Sequence, residues 1–511
     1  MDTLDTTEWD VVISGTGLPQ SLLALALSRS SKKILHVDRN DYYGGNEAAF
    51  SLTEAETWAA KLNDVGEDSA ATFGQASIHK PSHAETEEKS RLGFSRAYSL
   101  TFSPQLIYAR SNLLPTLVSS RTHSQLDFQA VGSCFTVTGS PDAPDAQPKL
   151  TRVPNGREDI FQDNTLNLKA KRSLMKFLRF VGSYDEESEH QRWNEIIKQN
   201  ALSSLKEQYG IPDAAVAPLL ALALTADSAS NTSMATVVPR IARHLRSIGL
   251  FGSGFSAVLP KWGGLAEISQ VACRACAVGG GVYVLNKGIR SVASEGDPLV
   301  LELSDDEKIE TKWLVGCPDE LPSSGLTSSS PTNAGSSAIT RSILIVSSPM
   351  AALFPPTSEG GVTPAGAVIT VSVRDTSTPP VHILVHSSES GDCPAGQCVL
   401  YASTLGSCGF ETLNNAVMSL LQTLHTDGEI QPEMLWSMQY VQRMHTSSPH
   451  ASGTKGRDER VVVLPPLSTD VVLGDSVLED VKNAWMRITG EEAEGFMKFE
   501  AREGAGGEEE E

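Results

Sequence analysis

The first forty-five residues have the clearest pattern of apolar and polar positions in the chain. Residues 11–13 form a short apolar run that is typical of a buried parallel strand. A glycine turn at 15–17 follows, and Pro19 suits the first turn of the apolar helix that comes next. A second apolar run at 34–37 ends at Asp38. This order predicts a nucleotide-binding β-α-β unit.

The predicted unit lacks one part of the dinucleotide fingerprint G-x-G-x-x-G. Gly15 and Gly17 supply the first two glycines, and Asp38 follows about 20 positions after Gly15, where an acid that binds the ribose belongs. Gln20 replaces the third glycine, which normally lets the pyrophosphate reach the helix N-terminus. This stretch alone is compatible with a functional flavin or nicotinamide site and with a scaffold that has lost its ligand.

The next hundred residues mix insertion-like, helical and strand-like patterns. Residues 64–95 are rich in Ser, Ala, Glu and His and poor in large apolar residues, which predicts a mobile insertion. Residues 98–120 have the pattern of an amphipathic helix, and 126–131 and 133–137 that of two paired strands.

From 153 to 252 the pattern is helical. The stretch 168–184 places Leu174, Phe177 and Val181 on one helix face. Further helices are predicted at 201–210, 217–226 and 236–252. We expect an all-helical domain here, inserted into an α/β domain.

Strand-like patterns return in the last half of the chain. They lie at 280–289, 299–303, 342–348, 367–373 and 381–387. The low-complexity stretch 323–340 predicts a disordered loop, and 477–490 predicts a late helix. The predicted organisation is an α/β domain in two parts, the helical domain and a solvated acidic tail, with boundaries at 1–152, 153–252, 253–490 and 491–511.

The composition limits the class of protein. There are 41 basic and 62 acidic residues, a net charge of −21, which argues against general binding to nucleic acid or anionic membranes. Seven cysteines without a regular framework indicate a reducing compartment. The acidic first ten residues have no apolar signal region, and the apolar runs are too short to span a bilayer. We therefore expect a soluble cytoplasmic α/β protein.

Three stretches resemble one family. They are GTGLPQSLLALALS (15–28), VDRNDYYGG (37–45) and EISQVACRACAVGGGVYVLNKGI (267–289). They are similar to conserved regions of the Rab GDP-dissociation inhibitors and Rab escort proteins. Four further stretches resemble the escort proteins of this family more than the inhibitors. They lie at 153–180, 223–232, 245–252 and 434–440.

The resemblance implies a fold and a function. The fold would be a large FAD/NAD(P)-binding-like α/β domain, related to flavin monooxygenases, with an inserted all-helical domain and no cofactor. The protein would bind GDP-bound Rab GTPases, present them to the α/β heterodimer of Rab geranylgeranyl transferase, and deliver the prenylated Rab to membranes. It would be a non-catalytic accessory subunit that holds the geranylgeranyl lipid, contacts membranes transiently and does not bind nucleic acid.

The resemblance also implies a Rab-binding platform. Its members would be Tyr43, Glu267, Arg274, Val282 and Val284. An acid and a base seven positions apart lie two turns along one helix face, so both could reach one partner surface. Each of these residues also has an ordinary explanation. Tyr43 could cap the end of a strand, Glu267 and Arg274 could be solvated surface charges, and Val282 and Val284 could be core residues.

Further roles are implied for the helical domain. The lipid-cavity candidates are Phe177, Leu178, Leu220, Leu222 and Leu224, and the candidates for facing the transferase are Arg243, His244 and Arg246. Ordinary helix-bundle core is an equally good reading for any single apolar residue. The aromatic residue that anchors the transferase in the family is not evident.

The chain departs from the family just before Glu267. The approach Trp262-Gly263-Gly264-Leu265-Ala266 is one residue longer than usual, and Ser269 replaces a proline. The nearby Cys273-x-x-Cys276 has no second pair at zinc-ligand spacing, so buried thiols are expected rather than a metal or redox site.

Three alternative functions remain open at this point. A GDP-dissociation inhibitor that recycles membrane Rabs belongs to the same family. A flavin-dependent oxidoreductase would use the glycine turn, and an adaptor would depend on neither nucleotide state nor prenylation. The sequence contains no Ser-His-Asp pattern, paired-carboxylate signature or P-loop.

Overall fold

A computed structural model of the chain describes residues 4, 7–64, 72–81, 92–138, 148–154, 167–252, 254–293, 296–322, 338–356, 361–372, 375–424, 432–443 and 458–500. Most of the stretch predicted as disordered at 323–340, part of the predicted insertion at 64–95 and the end of the acidic tail lie outside these residues.

The described strands and helices are numbered in chain order. The strands are β1 (Glu8–Ser14), β2 (Ile34–Val37), β3 (Ala49–Phe50), β4 (Phe73–His79), β5 (Leu100–Thr101), β6 (Ile107–Tyr108), β7 (Phe128–Thr138), β8 (Lys149–Arg152), β9 (Ala257–Pro260), β10 (Val282–Val284), β11 (Ile289–Ala293), β12 (Leu299–Leu303), β13 (Lys308–Gly316), β14 (Ala338–Val346), β15 (Gly366–Ser372), β16 (Val381–Ser387), β17 (Cys398–Leu405), β18 (Met434–Arg443) and β19 (Val461–Val463). The helices are α1 (Leu18–Leu27), α2 (Leu52–Asp64), α3 (Leu113–Ser119), α4 (Leu168–Ser183), α5 (His190–Ile196), α6 (Ala201–Ser203), α7 (Asp213–Ala223), α8 (Met234–Ser247), α9 (Leu265–Val278), α10 (Phe410–Thr423) and α11 (Ser476–Thr489).

The first sheet contains the predicted β-α-β unit. Its strand order is β10-β2-β1-β13-β12-β11, with β19 beside β13. β1 pairs in parallel with β2 and β13, and β2 pairs in parallel with the edge strand β10. All side chains of α1 are buried, because α9 and α11 pack against this helix. A helix covered in this way is apolar all round, as the sequence of α1 is.

The second sheet has ten strands in the described part of the chain. Its order is β4-β18-β14-β17-β16-β15-β7-β9-β6, with β8 beside β7. β15 and β7 are parallel, whereas β14, β17 and β18 pair antiparallel. The helices α4 to α8 pack on this sheet, since Phe177, Leu222 and Ile241 share one hydrophobic cluster with Trp436 and Tyr440.

Several sequence predictions are wrong in detail. Residues 98–112 form β5, β6 and connecting turns rather than a helix, and 128–138 is one continuous strand rather than two. β4 lies within the predicted insertion and pairs with β18. The predicted tail begins with an ordered part, in which Met497 is buried and Phe499 packs against the core. Among the helices that the structure describes, none has both the length and the apolar character that crossing a bilayer requires.

Candidate functional site

The glycine turn between β1 and α1 is filled by the chain itself. Gly15 has a φ of 86°, and a Cβ placed on it would lie 2.7 Å from the Glu320 Cγ and 2.9 Å from the Gln20 Nε2. Gln20, predicted as the replacement for a glycine, is buried, and its Nε2 lies 3.4 Å from the Ser14 carbonyl oxygen. Little space is left directly above the turn.

The N-terminus of α1 is already occupied by a carboxyl group. The Leu18 amide donates a hydrogen bond of 3.0 Å to Oε2 of Glu47. Helix N-termini attract phosphates because their free amides and dipole favour negative charge. The Glu47 carboxyl group takes that place here, and burial raises its pKa to about 7.

Asp38 is also satisfied from within the chain. Its Oδ2 accepts hydrogen bonds from the Thr16 amide at 2.7 Å and the Thr16 hydroxyl at 2.6 Å. Its Oδ1 accepts from the amide and the side chain of Asn40 at 2.8 and 2.9 Å. Burial raises the pKa of the Asp38 carboxyl group, and these hydrogen bonds oppose that shift. The acid that would bind a ribose therefore supports the turn.

These residues do not fit a dinucleotide. Besides Glu47, Glu320 lies at the turn, and burial raises the pKa of Glu320 to about 8 with a further contribution from Asp38 and Asp319. A pyrophosphate here would disfavour the ionised forms of these poorly solvated acids still further, because like charges repel. Gln20 and Glu47 would also have to leave the space it needs.

Tyr43 lies beside this turn. The amide of the next residue, Gly44, donates a 3.0 Å hydrogen bond to the Thr16 hydroxyl oxygen. The Tyr43 ring is half-buried, and its centroid is 6.2 Å from that of Tyr283 on β10. Burial raises the pKa of the Tyr43 hydroxyl. The sequence analysis did not identify Tyr283 as a site residue. Its position between two valines of a strand could have indicated it.

Glu267 and Arg274 lie on α9, as predicted. Glu267 is half-buried in the first turn, and Arg274 is exposed. Burial raises the pKa of Glu267, and the charge of Arg274 opposes this shift. A Cβ on Gly44 would lie 3.6 Å from the Ala266 Cβ, so the Tyr43 loop and the start of α9 are in contact. The structure thus brings Tyr43 and Glu267 to adjoining segments.

The lengthened approach to α9 has an unusual backbone. Trp262, Gly263 and Gly264 have φ values of 62°, 116° and 64°. A Cβ on Gly263 would lie 2.6 Å from the Ala49 Cβ, which explains why glycine is required there. Trp262 is 50% exposed and packs on Gly391. The turn before Glu267 is thus fixed by glycine-specific conformations and close packing.

Val282 and Val284 do not join Tyr43 directly. Side chains alternate along a strand, so both valines lie on the face of β10 opposite Tyr283. Val284 packs on the cluster that contains Leu35 and Val37, whereas Val282 is 38% exposed at the sheet edge. Their role in binding a partner stays a prediction.

Cys273 and Cys276 are buried below the same surface. The Cys273 Sγ is 3.3 Å from the Ser21 hydroxyl oxygen, and burial raises the pKa of its thiol to about 11. A thiol in this state is a poor nucleophile and a poor metal ligand at neutral pH. Within the part of the chain that the structure describes, no cluster of His, Cys, Asp and Glu could hold a metal ion.

The lipid-cavity candidates lie in a closed core. Phe177, Leu222 and Leu224 are buried, while Leu178 and Leu220 are half-buried at its margin. The Phe177 ring packs at 4.9 Å from the Tyr209 ring. A cavity of about 10 Å³ lies between Leu224 and the second sheet, lined also by His382 and Asp470, which is room for roughly one water molecule.

The prediction that three basic residues face the transferase is wrong for one of them. His244 is buried beside the Ser256 hydroxyl oxygen at 3.3 Å, and burial lowers its pKa to about 4. Arg243 is engaged internally with Asp475 at 2.9 Å. Arg246 is exposed and forms a bidentate pair with Asp185.

An exposed apolar pair follows α8. Leu250 is 45% exposed and Phe251 is 56% exposed. The sequence analysis did not identify this pair as a surface feature, although glycines at 249 and 252 flank it. Phe251 follows Arg246 closely in the sequence. The ring that Arg246 itself contacts is that of Tyr184.

Comparison with known proteins adds a family. The model of the family described as "GDI: GDP dissociation inhibitor" matches residues 5–360. The chain is 32% identical over 307 residues to the Saccharomyces cerevisiae protein named "Rab proteins geranylgeranyltransferase component A", and 30% identical over 324 residues to the Drosophila melanogaster protein of that name. These matches cover 60% and 62% of this chain but 47% and 60% of the relatives, so the chain spans about half the length of the curated relatives it matches.

Solved structures show a similar fold. A Rab GDI from Plasmodium falciparum matches 94% of this chain and 98% of its own, with a TM-score of 0.62 and 19% identity. An oxidoreductase from Methanosarcina mazei matches 93% and 99%, with a TM-score of 0.56 and 13% identity. The predicted FAD/NAD(P)-binding-like fold with inserted helices is confirmed.

Proposed function

The chain belongs to the GDP dissociation inhibitor family, and on this premise we propose that it is a Rab escort protein. It binds newly made, GDP-bound Rab GTPases and presents them to the α/β heterodimer of Rab geranylgeranyl transferase. It then keeps the prenylated Rab in solution and delivers it to a membrane. In this role it performs no chemistry and needs no cofactor.

The surface around Tyr43 is the observation that carries the proposal. The half-buried Tyr43 lies beside Tyr283, and the adjoining helix α9 carries Glu267 and the exposed Arg274. An aromatic ring with a separate acid and base can bind an apolar patch flanked by charges of both signs. Tyrosine and arginine are also the residue types that dominate binding energies at interfaces.

The state of the glycine turn supports a binding role over a redox role. Glu47 occupies the helix N-terminus, and Asp38 is engaged with Thr16 and Asn40. A flavin-dependent oxidoreductase needs both positions for its cofactor. The fold similarity supports the oxidoreductase hypothesis. The helix N-terminus and Asp38, on which cofactor binding depends, are however engaged within the chain and count against it.

The need for an escort follows from the prenyl group. Each buried methylene contributes about 0.8 kcal/mol, so sheltering a geranylgeranyl chain stabilises it by on the order of 15 kcal/mol. The helical region α4 to α8 offers the apolar material, with Leu178 and Leu220 at its margin. Because most of these side chains are buried, the lipid enters only if packed helices such as α4 and α8 separate.

The second candidate is a GDP-dissociation inhibitor that recycles membrane Rabs. It shares the Tyr43 surface and differs in lacking tight association with the transferase. The Arabidopsis thaliana "Guanosine nucleotide diphosphate dissociation inhibitor 2" is 28% identical over 319 residues, so the family relationship includes both types. The exposed Leu250–Phe251 pair, which follows Arg246 in the sequence, favours the escort, since it offers apolar surface for a further protein partner.

The proposed localisation is cytoplasmic, with transient membrane contact. A net charge of −21 repels the anionic cytoplasmic leaflet, which prevents stable adsorption of the protein alone. The prenyl group of a bound Rab then provides the attraction to the bilayer, and its transfer releases the acidic escort.

The test is reconstituted prenylation. Purified Rab, geranylgeranyl diphosphate and transferase are combined with and without the chain, and lipid incorporation is measured. We expect incorporation that depends on the chain and is strongly reduced in Tyr43→Ala and Arg274→Ala. Lys308→Ala, an exposed substitution on β13 in the other half of the first sheet, is the matched control.

The other outcomes distinguish the alternatives. Extraction of prenylated Rab from membranes without stimulation of the transferase would identify an inhibitor. A purified protein with bound flavin would identify an oxidoreductase. Stimulation that persists in both platform variants would refute the proposed binding surface.

A further inference from the structure

The glycine turn and the Tyr43 loop are joined by a chain of buried hydrogen bonds. The Thr16 hydroxyl donates to the Asp38 carboxylate at 2.6 Å and accepts from the Gly44 amide at 3.0 Å. A hydroxyl has one proton to donate and can also accept, so both bonds are satisfied together. Thr16 and Asp38 are fully buried, which protects the chain from competition by water.

A second connection returns to the turn three residues later. Residues Gly45–Glu47 form a single helical turn, and the Glu47 carboxylate accepts from the Leu18 amide at 3.0 Å. A Cβ on Gly45 would lie 3.2 Å from the Gly17 nitrogen, so the two glycine segments are in close backbone contact. The segment after Tyr43 is therefore attached to the glycine turn at both ends.

Gly44 itself adopts a conformation that fixes the direction of the chain. Its φ is 100°, and a Cβ there would lie 3.0 Å from the Ala48 Cα. Side-chain-bearing residues strongly disfavour this conformation. The backbone next to Tyr43 is thus determined by hydrogen bonding, close approach and a glycine-specific conformation.

We infer that Thr16 and Asp38 are positioning residues for Tyr43, and that the former nucleotide turn serves as the scaffold of the partner-binding surface. This inference rests on the proposed function, because it assigns the scaffold a role in binding the Rab GTPase. The Tyr43 ring is only half-buried and depends on its backbone for its position before a partner arrives. Holding it in place beforehand removes an ordering cost from binding.

The test compares Thr16→Val with Thr16→Ser. Valine keeps the size of threonine but has no hydroxyl, whereas serine keeps the hydroxyl. Hydrogen exchange of the Gly44 amide in the protein without a partner is expected to accelerate in the valine variant alone. The Kd for GDP-bound Rab is expected to rise roughly tenfold in Thr16→Val, because the Gly44 amide loses the acceptor that holds the Tyr43 loop. It is expected to stay near the wild-type value in Thr16→Ser.

A double-mutant comparison separates positioning from general stability. In a Tyr43→Ala background, Thr16→Val should weaken Rab binding no further, because the residue it positions has been removed. An equal additional loss in both backgrounds would overturn the inference. If Thr16→Val does not fold, Thr16→Ala, which also lacks the hydroxyl and needs less space, provides the same comparison.

The failure of this inference is distinguishable from failure of the proposed function. If the wild-type chain does not bind a Rab, the proposed function fails, and unchanged Gly44 exchange in Thr16→Val would show that the hydrogen-bond chain fails as well. If the wild-type chain binds and Tyr43→Ala does not, an unchanged Kd in Thr16→Val would refute the positioning role alone.

Discussion

The Glu47 carboxylate lies at the first turn of α1, where it accepts the Leu18 amide hydrogen bond at 3.0 Å. The acid is separated from the helix by the whole of β2 and the Tyr43 loop. Its contact with α1 joins the start of the chain to the surface that carries Tyr43. Two of the predictions below follow from this contact.

Substituting Glu47 by glutamine should flatten the pH dependence of stability. Burial raises the pKa of Glu47 from 4.5 in the unfolded chain to about 7 in the folded one, so the folded state holds the proton more tightly. The stabilisation it gives is present below pH 4.5 and is lost as the pH rises towards 7. The loss amounts to about 3 kcal/mol, because one pKa unit corresponds to about 1.4 kcal/mol.

The measurement is the free energy of unfolding in urea at pH 5 and pH 8. The wild-type protein should lose more stability between these values than Glu47→Gln does. Glu310→Gln, on an exposed position of β13, is the control. Burial also raises the pKa of Glu320, to about 8, so Glu320 adds its own loss of stability up to about that pH. This loss occurs in all three proteins and does not affect the comparison. Identical losses in the wild-type and Glu47→Gln proteins would contradict the prediction.

Restoring the third glycine should not restore flavin binding. Gln20→Gly completes the fingerprint, yet Glu47 remains at the helix N-terminus and Glu320 remains beside Gly15. The variant is incubated with FAD, separated from free ligand and examined for flavin absorbance. A protein of known FAD content, carried through the same separation, serves as the positive control. Stoichiometric flavin in the single variant would refute the argument that the two acids exclude the cofactor.

Two leucines of α7 should differ in their contribution to stability. Leu222 is buried in the core shared by the helices and the second sheet, whereas Leu220 is half-buried at its margin. Leu222→Ala should lower the free energy of unfolding by about 3 kcal/mol and Leu220→Ala by about 1 kcal/mol or less. Denaturant unfolding of both variants provides the measurement. Equal losses of unfolding free energy would mean that the two side chains are packed equally well, which would contradict the structure.

The sequence predicted the elements whose signals are local. The apolar runs at 299–303 and 381–387 match β12 and β16, and the glycine turn lies between β1 and α1 as expected. Such segments have periodicity or a compact apolar run that does not depend on distant neighbours.

Elements that depend on distant partners were missed. β7 was predicted as two strands because Gly132 interrupts it. The structure shows the reason for this glycine, since a Cβ there would lie 2.5 Å from the Pro364 Cγ. β5 and β6 have two residues each, paired with β3 and β9, and their short sequences contain no periodic signal.

In the candidate site, too, residues with a local motif were predicted and residues that act through distant contacts were not. Tyr43, Glu267 and Arg274 were predicted from their motifs, and the structure places Tyr43 and Glu267 on adjoining segments. Their role in binding a partner stays a prediction. The contributions of Thr16 and Glu47 could not be predicted, because they arise from contacts with residues 28 and 29 positions away. His244 was misassigned because a helical pattern does not reveal which polar residue a neighbouring loop covers.

The acid at the α1 N-terminus has a consequence for how the surface responds to its surroundings. A nucleotide held at such a turn dissociates, so the occupancy of its site varies with the concentration of free nucleotide. Glu47 is covalently attached, and its local concentration is set by the length of the intervening chain rather than by solution conditions. We therefore expect the geometry around Tyr43 not to vary with the cell's supply of flavin or nicotinamide nucleotides.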